Sequence, residues 1–126
     1  KEFESNLKMM EIQSNLEHIP KGFQLIVPGR EFVREAVMNK ISKGKSQERQ
    51  FYLFSDLILY GSRTILKSKI QMKGKIPLDS MLIRELVDCD DDDGFNNAFE
   101  IVRLDHKKKK YYICAKDHAE KKLWVD

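Results

Sequence analysis

Four consecutive lysines, Lys107 to Lys110, lie directly before the apolar run Tyr111 to Ala115. A dense run of ammonium groups can bind the phosphates of nucleic acid or of a membrane surface. The two tyrosines Tyr111 and Tyr112 could stack on bases, although side-chain alternation favours placing them in a strand with one ring facing inward. The same lysines could equally form a solvated turn that protects a strand edge from aggregation. This stretch alone leaves the membrane surface and the solvated turn open.

Residues that could perform catalysis do not cluster. His18, His106 and His118 fall near a helix end, in a turn and in a C-terminal helix, without a Ser-His-acid or metal-ligand arrangement. The six glycines include neither GxGxxG nor GxxxxGK[ST], the patterns that cradle nucleotide phosphates. The sequence therefore predicts a non-catalytic chain with no cofactor and no metal.

The charges are unevenly distributed. Lys and Arg number 23 against 20 Asp and Glu, so the net charge is +3, which is low for a dedicated nucleic-acid binder. Five aspartates lie between Asp88 and Asp93, and without them 15 acidic residues face the same 23 basic ones. This acidic run lacks the alternating ligands and downstream glutamate of a calcium loop, so we interpret it as a solvent loop. The remaining excess of positive charge can steer the chain toward an anionic surface.

The cysteines and the apolar runs limit where the protein acts. Cys89 and Cys114 lack the spacing of a zinc site or a disulfide framework, which favours a reducing, intracellular compartment. No apolar run approaches the roughly 18 residues of a membrane span. We therefore expect any membrane contact to be peripheral.

The elements that must position the lysines follow from periodicity. Glu4 to about Ile19 carries apolar residues at steps of three and four in two stripes, which predicts a helix that packs against more than one neighbour. Pro20 and Gly22 end it. At the far end, Asp117 can cap a second helix in a capping box with Glu120. Between the helices, short apolar runs separated by turn residues predict a mostly β domain of seven strands: Phe32 to Ile41, Gln50 to Phe54, Leu57 to Ile65, Lys69 to Leu78, Met81 to Val87, Ala98 to Leu104 and Tyr111 to Ala115.

Seven strands followed by a helix with a large aromatic residue resemble the pleckstrin homology domain. In that family an alanine ends the last strand, an acid lies inside the helix and a tryptophan follows one turn later, and here these are Ala115, Glu120 and Trp124. The "QFYLFSDLILY" segment is similar to the second and third strands of the family. The resemblance implies a seven-stranded antiparallel barrel of two orthogonal sheets, capped by the C-terminal helix, with the tryptophan in the core.

A narrower resemblance covers the N-terminal part. "NLKMMEIQSNL" followed by "LIVPGREFVREAVMNKIS" is similar to the junction of Dbl-family guanine nucleotide exchange factors, where the last helix of the catalytic Dbl homology domain enters the pleckstrin homology domain. The "GKIPLDSMLI" segment also fits that subclass, in particular its faciogenital-dysplasia or frabin-like members. The expected division is residues 1–21 as the end of the Dbl homology helix and residues 22–126 as the pleckstrin homology domain. Arg30, Glu31 and Arg34 are the expected interdomain contacts.

The family resemblance also implies where lipid would bind. The loops between the first and second, third and fourth, and sixth and seventh strands meet at the open end of the fold in that family. Tight binders of one inositol phosphate carry a Lys/Arg-x-Arg pair at the start of the second strand, where this chain has Glu48 and Gln50. The expectation is therefore weak, charge-driven binding, and the expected lipid-binding residues are Lys40, Lys43, Lys45, Arg49, Arg63, Lys67, Lys69, Lys107, Lys108, Lys109 and Lys110.

These observations predict a regulatory, membrane-targeting module of a Rho-family GTPase exchange factor. Its expected partners are acidic or phosphoinositide lipids, the adjacent Dbl homology domain and a Rho-family GTPase, with no nucleic acid. The expected location is the cytoplasm, peripheral at membranes or cytoskeleton. An autonomous phosphoinositide-binding adaptor is the alternative, but it would need a fitted Lys and Arg pocket and has no use for the N-terminal helix.

Overall fold

A computed structural model describes residues 2–42, 45–64, 69–86, 97–104 and 109–125 of the chain. These residues form two compact units: unit 1 comprises Lys1–Ala36 and Gln50–Asp79, and unit 2 comprises Val37–Arg49 and Ser80–Asp126. The elements in chain order are α1 (Glu2–Asn15), β1 (Leu16–Glu17), β2 (Phe32–Ser42), β3 (Lys45–Phe54), β4 (Leu57–Arg63), β5 (Ile70–Pro77), a 3-10 turn (Leu78–Ser80), β6 (Met81–Glu85), β7 (Ala98–Arg103), β8 (Lys110–Cys114) and α2 (His118–Val125).

The N-terminal helix ends four residues earlier than predicted. The expected end at Ile19 is wrong because Leu16 and Glu17 pair in parallel with Ile70 and Gln71 of β5, which draws the backbone into a strand. His18 then adopts φ 60°, a left-handed conformation that turns the chain. The residues directly after α1 therefore already belong to a β-sheet.

Unit 1 contains β1, β5, β4 and residues 50–54 of β3, which pair in that order, together with residues 32–36 of β2. Strand β4 is antiparallel to both neighbours, with Phe51 opposite Tyr60 on one side and Leu59 opposite Lys75 on the other. One face of these strands packs on α1, and together they bury a core cluster that contains Met9, Ile12, Leu16, Leu25, Tyr52, Phe54, Leu57, Leu59, Ile70 and Met72. The helix is therefore part of the hydrophobic core of unit 1.

The apolar run over β3 and β4 is buried on both sides, as its composition predicts. Tyr52 and Leu59 belong to the core cluster beneath α1. Phe51, Ile58 and Tyr60 point to the opposite face and are also buried, and the rings of Phe51 and Tyr60 stack with centroids 5.7 Å apart. Burial on both faces explains why this stretch shows no alternation of apolar and polar residues.

Unit 2 contains residues 37–42 of β2, then β8, β7 and β6 in that order, with each strand antiparallel to the next. Residues 45–49 of β3 also belong to this unit. Strand β3 starts at Lys45, five residues before the predicted Gln50. The apolar residues predicted only the buried half of β3, because the first four residues of the strand are exposed. These four residues are nevertheless part of the strand, since β2 lies beside them. Strand pairing through the backbone leaves no hydrophobic signature in such a segment.

Helix α2 begins as predicted. The Asp117 carboxylate accepts a hydrogen bond from the Glu120 backbone N–H at 2.8 Å, which is the expected N-cap. Trp124 is buried, as predicted, and so is Lys121, whose Nζ donates to the Leu86 carbonyl at 2.6 Å and lies 3.6 Å from Glu85. These two contacts offset the free-energy cost of burying the Lys121 ammonium.

Candidate anion-binding surface

Two predicted lipid-binding residues come together in unit 2 around one tyrosine ring, and a third, Arg49, lies near one of them. Lys40 lies on β2, Lys109 precedes β8 and Tyr111 lies on β8, which is the strand paired with β2. The Nζ atoms of Lys40 and Lys109 lie 5.4 Å and 5.3 Å from the centroid of the Tyr111 ring. Arg49 on β3 is close enough to affect the titration of Lys40. These four residues are called the basic cluster below.

Electrostatics in the basic cluster favour an anion. Partial burial lowers the pKa of Lys40, and the positive charges of Lys109 and Arg49 lower it further, while Tyr111 opposes them. Contact of each ammonium with the electron-rich ring face offsets part of that repulsion. An anion bound beside these lysines would reduce the remaining repulsion, so the arrangement favours an anionic ligand.

We expect Lys40 to titrate below the ordinary lysine pKa of 10.5 in the absence of anions. NMR of the lysine side-chain nitrogens across alkaline pH measures this midpoint directly. Lys109→Ala should raise the pKa of Lys40, because that substitution removes a neighbouring positive charge. Lys21→Ala is the control, since it removes an exposed lysine from unit 1. A midpoint at or above 10.5 in the unsubstituted chain would contradict the expectation.

The same shift fixes the sign of a pH effect on stability. Between the lowered pKa of folded Lys40 and the unfolded value near 10.5, the unfolded chain binds more protons than the folded one. The contribution of Lys40 to the free energy of unfolding therefore rises with pH across that window. Below the window the folded state bears the cost of holding the Lys40 charge against its neighbours.

Arg63 and Lys69, two further predicted lipid-binding residues, lie in unit 1 and bind groups of their own unit. Lys69 Nζ donates to the carbonyl of Ser14 at 3.0 Å, in the last turn of α1, where a cation is favourable for the helix dipole. Arg63 Nη2 donates to Gln50 Oε1 at 3.2 Å. Both side chains therefore have a structural partner, and their part in lipid binding stays a prediction.

The start of β3 has the chemistry expected from its sequence. Glu48 is exposed and Gln50 is buried, with the Gln50 amide oxygen accepting from Arg63. Arg49 donates to the Glu48 carbonyl and to Gln47 Oε1, both at 3.0 Å. Neither Glu48 nor Gln50 presents a cationic fork, which agrees with the expectation of loose phosphate binding.

The remaining predicted lipid-binding residues divide into two groups. Lys45 and Lys110 are exposed in unit 2. The second group lies outside the described residues and consists of Lys43, Lys67, Lys107 and Lys108. His106 and the acidic run Asp88 to Asp93 also lie outside the described residues. Of the four lysines, the structure therefore describes Lys109 and Lys110, and their binding to a membrane surface stays a prediction.

Arg30, the first of the three expected interdomain residues, stabilises unit 1 through several contacts. Arg30 forms a two-pronged ion pair with Asp56, with Nε 2.8 Å from Oδ1 and Nη2 3.0 Å from Oδ2. Its Nη1 also donates to the carbonyls of Gln24 and Leu25. Glu31 pairs with Ser55 through the backbone, and its side chain is exposed. Arg34 is half-buried. Contact of these residues with a neighbouring domain stays a prediction.

The three residues that carry the family resemblance at the C-terminus occupy structural positions. Ala115 and Trp124 are buried, and Glu120 lies in the first turn of α2, where its N–H is capped. Within the described ranges, no group of three or more His, Cys, Asp and Glu side chains is placed to hold a metal ion. No helix among these residues is long and apolar enough to span a membrane.

The role of Tyr111 in the basic cluster was missed by sequence reasoning, which predicted only that one of the two tyrosines faces inward. Tyr111 does face inward and is 4% exposed, while Tyr112 is half-buried. A signal existed in the spacing Lys109-x-Tyr111, because residues two apart in an extended chain point the same way. The position of Lys40 across the sheet could not be read without the register of β2 and β8.

Known proteins similar to this chain are pleckstrin-domain proteins that are much longer than it. The chain is 34% identical over 119 residues to the human protein "FERM, ARHGEF and pleckstrin domain-containing protein 2", a match that covers 94% of this chain and 10% of that protein. It is 31% identical over 105 residues to human "Pleckstrin homology domain-containing family F member 2", covering 83% of this chain and 40% of that protein. The chain therefore spans less than half of either relative.

Solved structures of similar fold contain a second domain. The DH/PH domain of human ARHGEF11, in a ternary complex with human RhoA and its inhibitor, superposes with a TM-score of 0.77 at 19% identity and covers 99% of this chain and 38% of that chain. A Vav1 exchange-factor structure with PH and C1 domains gives 0.77 at 17% identity, covering 98% and 31%. These superpositions confirm the predicted pleckstrin homology fold.

A family profile described as the SOS1/NGEF-like PH domain matches residues 24–126. With the relatives above, it confirms the predicted resemblance to pleckstrin homology domains of Rho exchange factors. The chain belongs to the SOS1/NGEF-like PH domain family.

Proposed function

We propose that this pleckstrin homology domain is the regulatory, membrane-targeting module of a Rho-family exchange factor. The observation that carries the proposal is the basic cluster, where the ammonium groups of Lys40 and Lys109 share one tyrosine ring. Partial burial lowers the pKa of Lys40, and the charge of Lys109 lowers it further. Such a site gains from an anion but has no fork that fits one inositol phosphate. Its ligand is the acidic lipid surface, bound weakly and in a salt-dependent manner.

The proposal extends to the parent protein through its relatives. Similar proteins are named for an ARHGEF domain, and similar structures are DH/PH domains, one of them in complex with RhoA. On this basis the module lies beside a catalytic Dbl homology domain that acts on a Rho-family GTPase, in the cytoplasm and peripherally at membranes or cytoskeleton. The module itself orients that domain, and the catalytic residues belong to the neighbour.

Vesicle co-sedimentation tests the lipid part of the proposal. The chain is expected to bind phosphatidylserine and phosphoinositide vesicles according to their charge and to lose binding as salt rises from low to physiological concentration. Each well-placed cation contributes about 1 kcal/mol at such a surface, so Lys40→Ala with Lys109→Ala should weaken binding by roughly 30-fold.

A matched control keeps the net charge equal. Lys21→Ala with Lys73→Ala removes two exposed lysines from unit 1 and should leave vesicle binding nearly unchanged. Equal losses in both double variants would mean that total charge alone determines binding and would contradict a local site. Preference for one inositide that survives physiological salt would favour the autonomous adaptor instead.

A further inference from the structure

Strand β6 has one unpaired edge. It stands at the end of the strand order and pairs only with β7 among the strands that the structure describes. The Leu86 N–H donates to the Ala98 carbonyl, and the Leu104 N–H donates to the Ser80 carbonyl. Because hydrogen-bonded and non-hydrogen-bonded pairs alternate in an antiparallel ladder, the even-numbered residues of β6 bond to β7. The odd-numbered residues direct their backbone groups outward and form what is called the free edge below: Met81, Ile83 and Glu85.

The first part of the free edge lacks the features that usually protect a sheet edge. Protection comes from charged side chains, proline or a β-bulge. Residues 81–83 have the sequence Met-Leu-Ile, and their register with β7 runs without a shift. Within the described ranges, no backbone hydrogen bond uses the outward N–H and carbonyl groups of this edge. An extended segment of another protein can add to such an edge as a further strand.

Both faces of β6 offer apolar contact to an added strand. Met81 and Ile83 are half-buried, and Ile83 lies opposite Ile101, which is fully buried. On the other face, Leu82 is 59% exposed and has the exposed Leu104 as a diagonal neighbour. Apolar side chains of an added strand would therefore extend the buried layer on one face and cover exposed leucines on the other.

Arg84 gives the free edge a charge that selects its partner. The Arg84 Nη2 atom lies 3.1 Å from Oε1 of Glu100, and the Arg84 side chain is 68% exposed whereas that of Glu100 is 3% exposed. A buried carboxylate thus orients an exposed guanidinium, which keeps further N–H donors for a second acceptor. A carboxylate opposite Arg84 on an added strand would form a cross-strand ion pair.

A second copy of the chain fits the free edge poorly. In antiparallel two-fold pairing, outward-pointing residues must oppose one another, so the register is centred on a single residue. Centred on Ile83, it places the apolar Leu82 opposite Arg84 of the second copy. Centred on Leu82, it pairs only residues 81–83 and leaves Arg84 without an opposing carboxylate. Centred on Arg84, it opposes two like charges, which destabilises a cross-strand pair.

We propose that the free edge binds an extended segment of another protein that is both acidic and apolar. This segment adds to unit 2 as an antiparallel strand, the more stable pairing per residue. It places a carboxylate opposite Arg84 and apolar side chains opposite residues 81–83. This interaction is independent of the proposed lipid binding, because the basic cluster consists of other residues.

A synthetic peptide tests the proposal on this chain in solution. The probe is acetyl-Thr-Lys-Glu-Val-Ile-Val-Thr-amide, whose Glu lies opposite Arg84 and whose first Val lies opposite Ile83 in antiparallel pairing. Backbone amide NMR should show saturable shifts of the residues 81–85. N-methylation of the first Val, whose N–H would donate to β6, should weaken binding at least roughly tenfold. N-methylation of the Ile, whose N–H would point away from β6, is the matched control and should change binding by less than about twofold.

Substitutions in the chain examine the same contacts. Ile83→Pro removes an outward N–H and leaves the β6–β7 ladder intact, because proline is tolerated on an edge strand when its missing N–H faces solvent. This variant should stay folded by amide NMR and should lose peptide binding. Replacing the Glu of the peptide by Lys should weaken binding to the unsubstituted chain by about three- to tenfold. That difference between the two peptides should disappear in Arg84→Gln.

Four outcomes decide the matter. Absence of peptide-induced shifts in β6, or equal losses from the two N-methyl groups, would overturn the proposal. A concentration-dependent dimer that Ile83→Pro abolishes would overturn it by identifying a second copy as the occupant. Loss of acidic-vesicle binding in Ile83→Pro would overturn it by identifying β6 as a membrane contact. Peptide binding without any vesicle binding would support the free edge while contradicting the proposed membrane role.

Discussion

Phe54→Ala is expected to lower the free energy of unfolding by about 3 to 5 kcal/mol, a large part of the stability of a domain this size. The Phe54 ring is fully buried in unit 1. It meets Phe32 edge to face with centroids 6.0 Å apart and Tyr52 at 6.5 Å. Truncation leaves a cavity under α1 and removes both ring contacts, which β-sheet hydrogen bonds cannot replace. Denaturant unfolding followed by circular dichroism measures the loss.

Phe3→Ala is the matched control for Phe54→Ala. The truncation is chemically identical, but Phe3 is mostly exposed on α1. The isolated chain should therefore lose less than about 0.5 kcal/mol. Similar losses at the two positions, or a loss below about 1 kcal/mol at Phe54, would show that the core cluster is packed differently from this description.

Gly61→Ala should also be strongly destabilising, by about 1 to 3 kcal/mol or more. Gly61 lies on β4 where the register with β5 shifts. A methyl group there would collide with the backbone carbonyl oxygen of Gln71 and would lie 2.8 Å from Ile70 Cγ2. The backbone of Gln71 belongs to a paired strand and cannot move away without breaking hydrogen bonds between β4 and β5. The steric strain of the added methyl group therefore cannot be relieved at low cost in free energy. Thermal and denaturant unfolding of the purified variant measure the effect.

Gly74→Ala provides a graded comparison within the same pair of strands. Its methyl group would meet the hydroxyl end of the Tyr60 side chain at 2.7 Å, and a side chain can shift where a backbone carbonyl cannot. Gly74→Ala should therefore cost less than Gly61→Ala. The reverse order of stability losses would contradict the close approach of β4 and β5 at Gly61.

The features that sequence alone predicted are those set by local hydrophobicity. The strands β2 to β8 overlap the seven predicted strands, although β3 starts five residues early. Asp117 caps α2 as predicted, because the N-cap chemistry involves residues only three positions apart. The two apolar stripes of the N-terminal helix were also visible in the sequence. One stripe lies in the core cluster and the other remains exposed.

The features that were not predictable depend on residues far apart in the chain. Strand β1 is only two residues long and exists because β5 accepts it fifty residues later. The ion pair of Arg30 with Asp56, 26 positions away, was likewise not visible in the sequence. Lys121 is buried because a single carbonyl, that of Leu86, receives its ammonium. Composition and periodicity contain no information about such pairings.

The site shows the same division between local and distant information. Loop lysines were recognisable from charge alone, yet Lys69 binds the end of α1, whereas Lys40 and Lys109 converge on a ring. Lys40 and Lys109 come together through the register of β2 with β8, whereas Lys69 meets α1 because that helix packs on the strands of its unit. Neither the register nor the packing is determined by residues that are close in the sequence. Charge runs therefore identified the basic residues but not which of them share one surface.

The central claim is that the basic cluster is where this domain meets anionic phosphate. The most direct measurement is NMR of the lysine side-chain nitrogens and tyrosine rings during titration with inositol hexakisphosphate. The predicted result is that Lys40, Lys109 and Tyr111 signals move together and that the pKa of Lys40 rises toward its ordinary value, while Lys21 and Lys73 do not respond. Unchanged Lys40 and Lys109 signals, with shifts confined to other lysines, would contradict the claim.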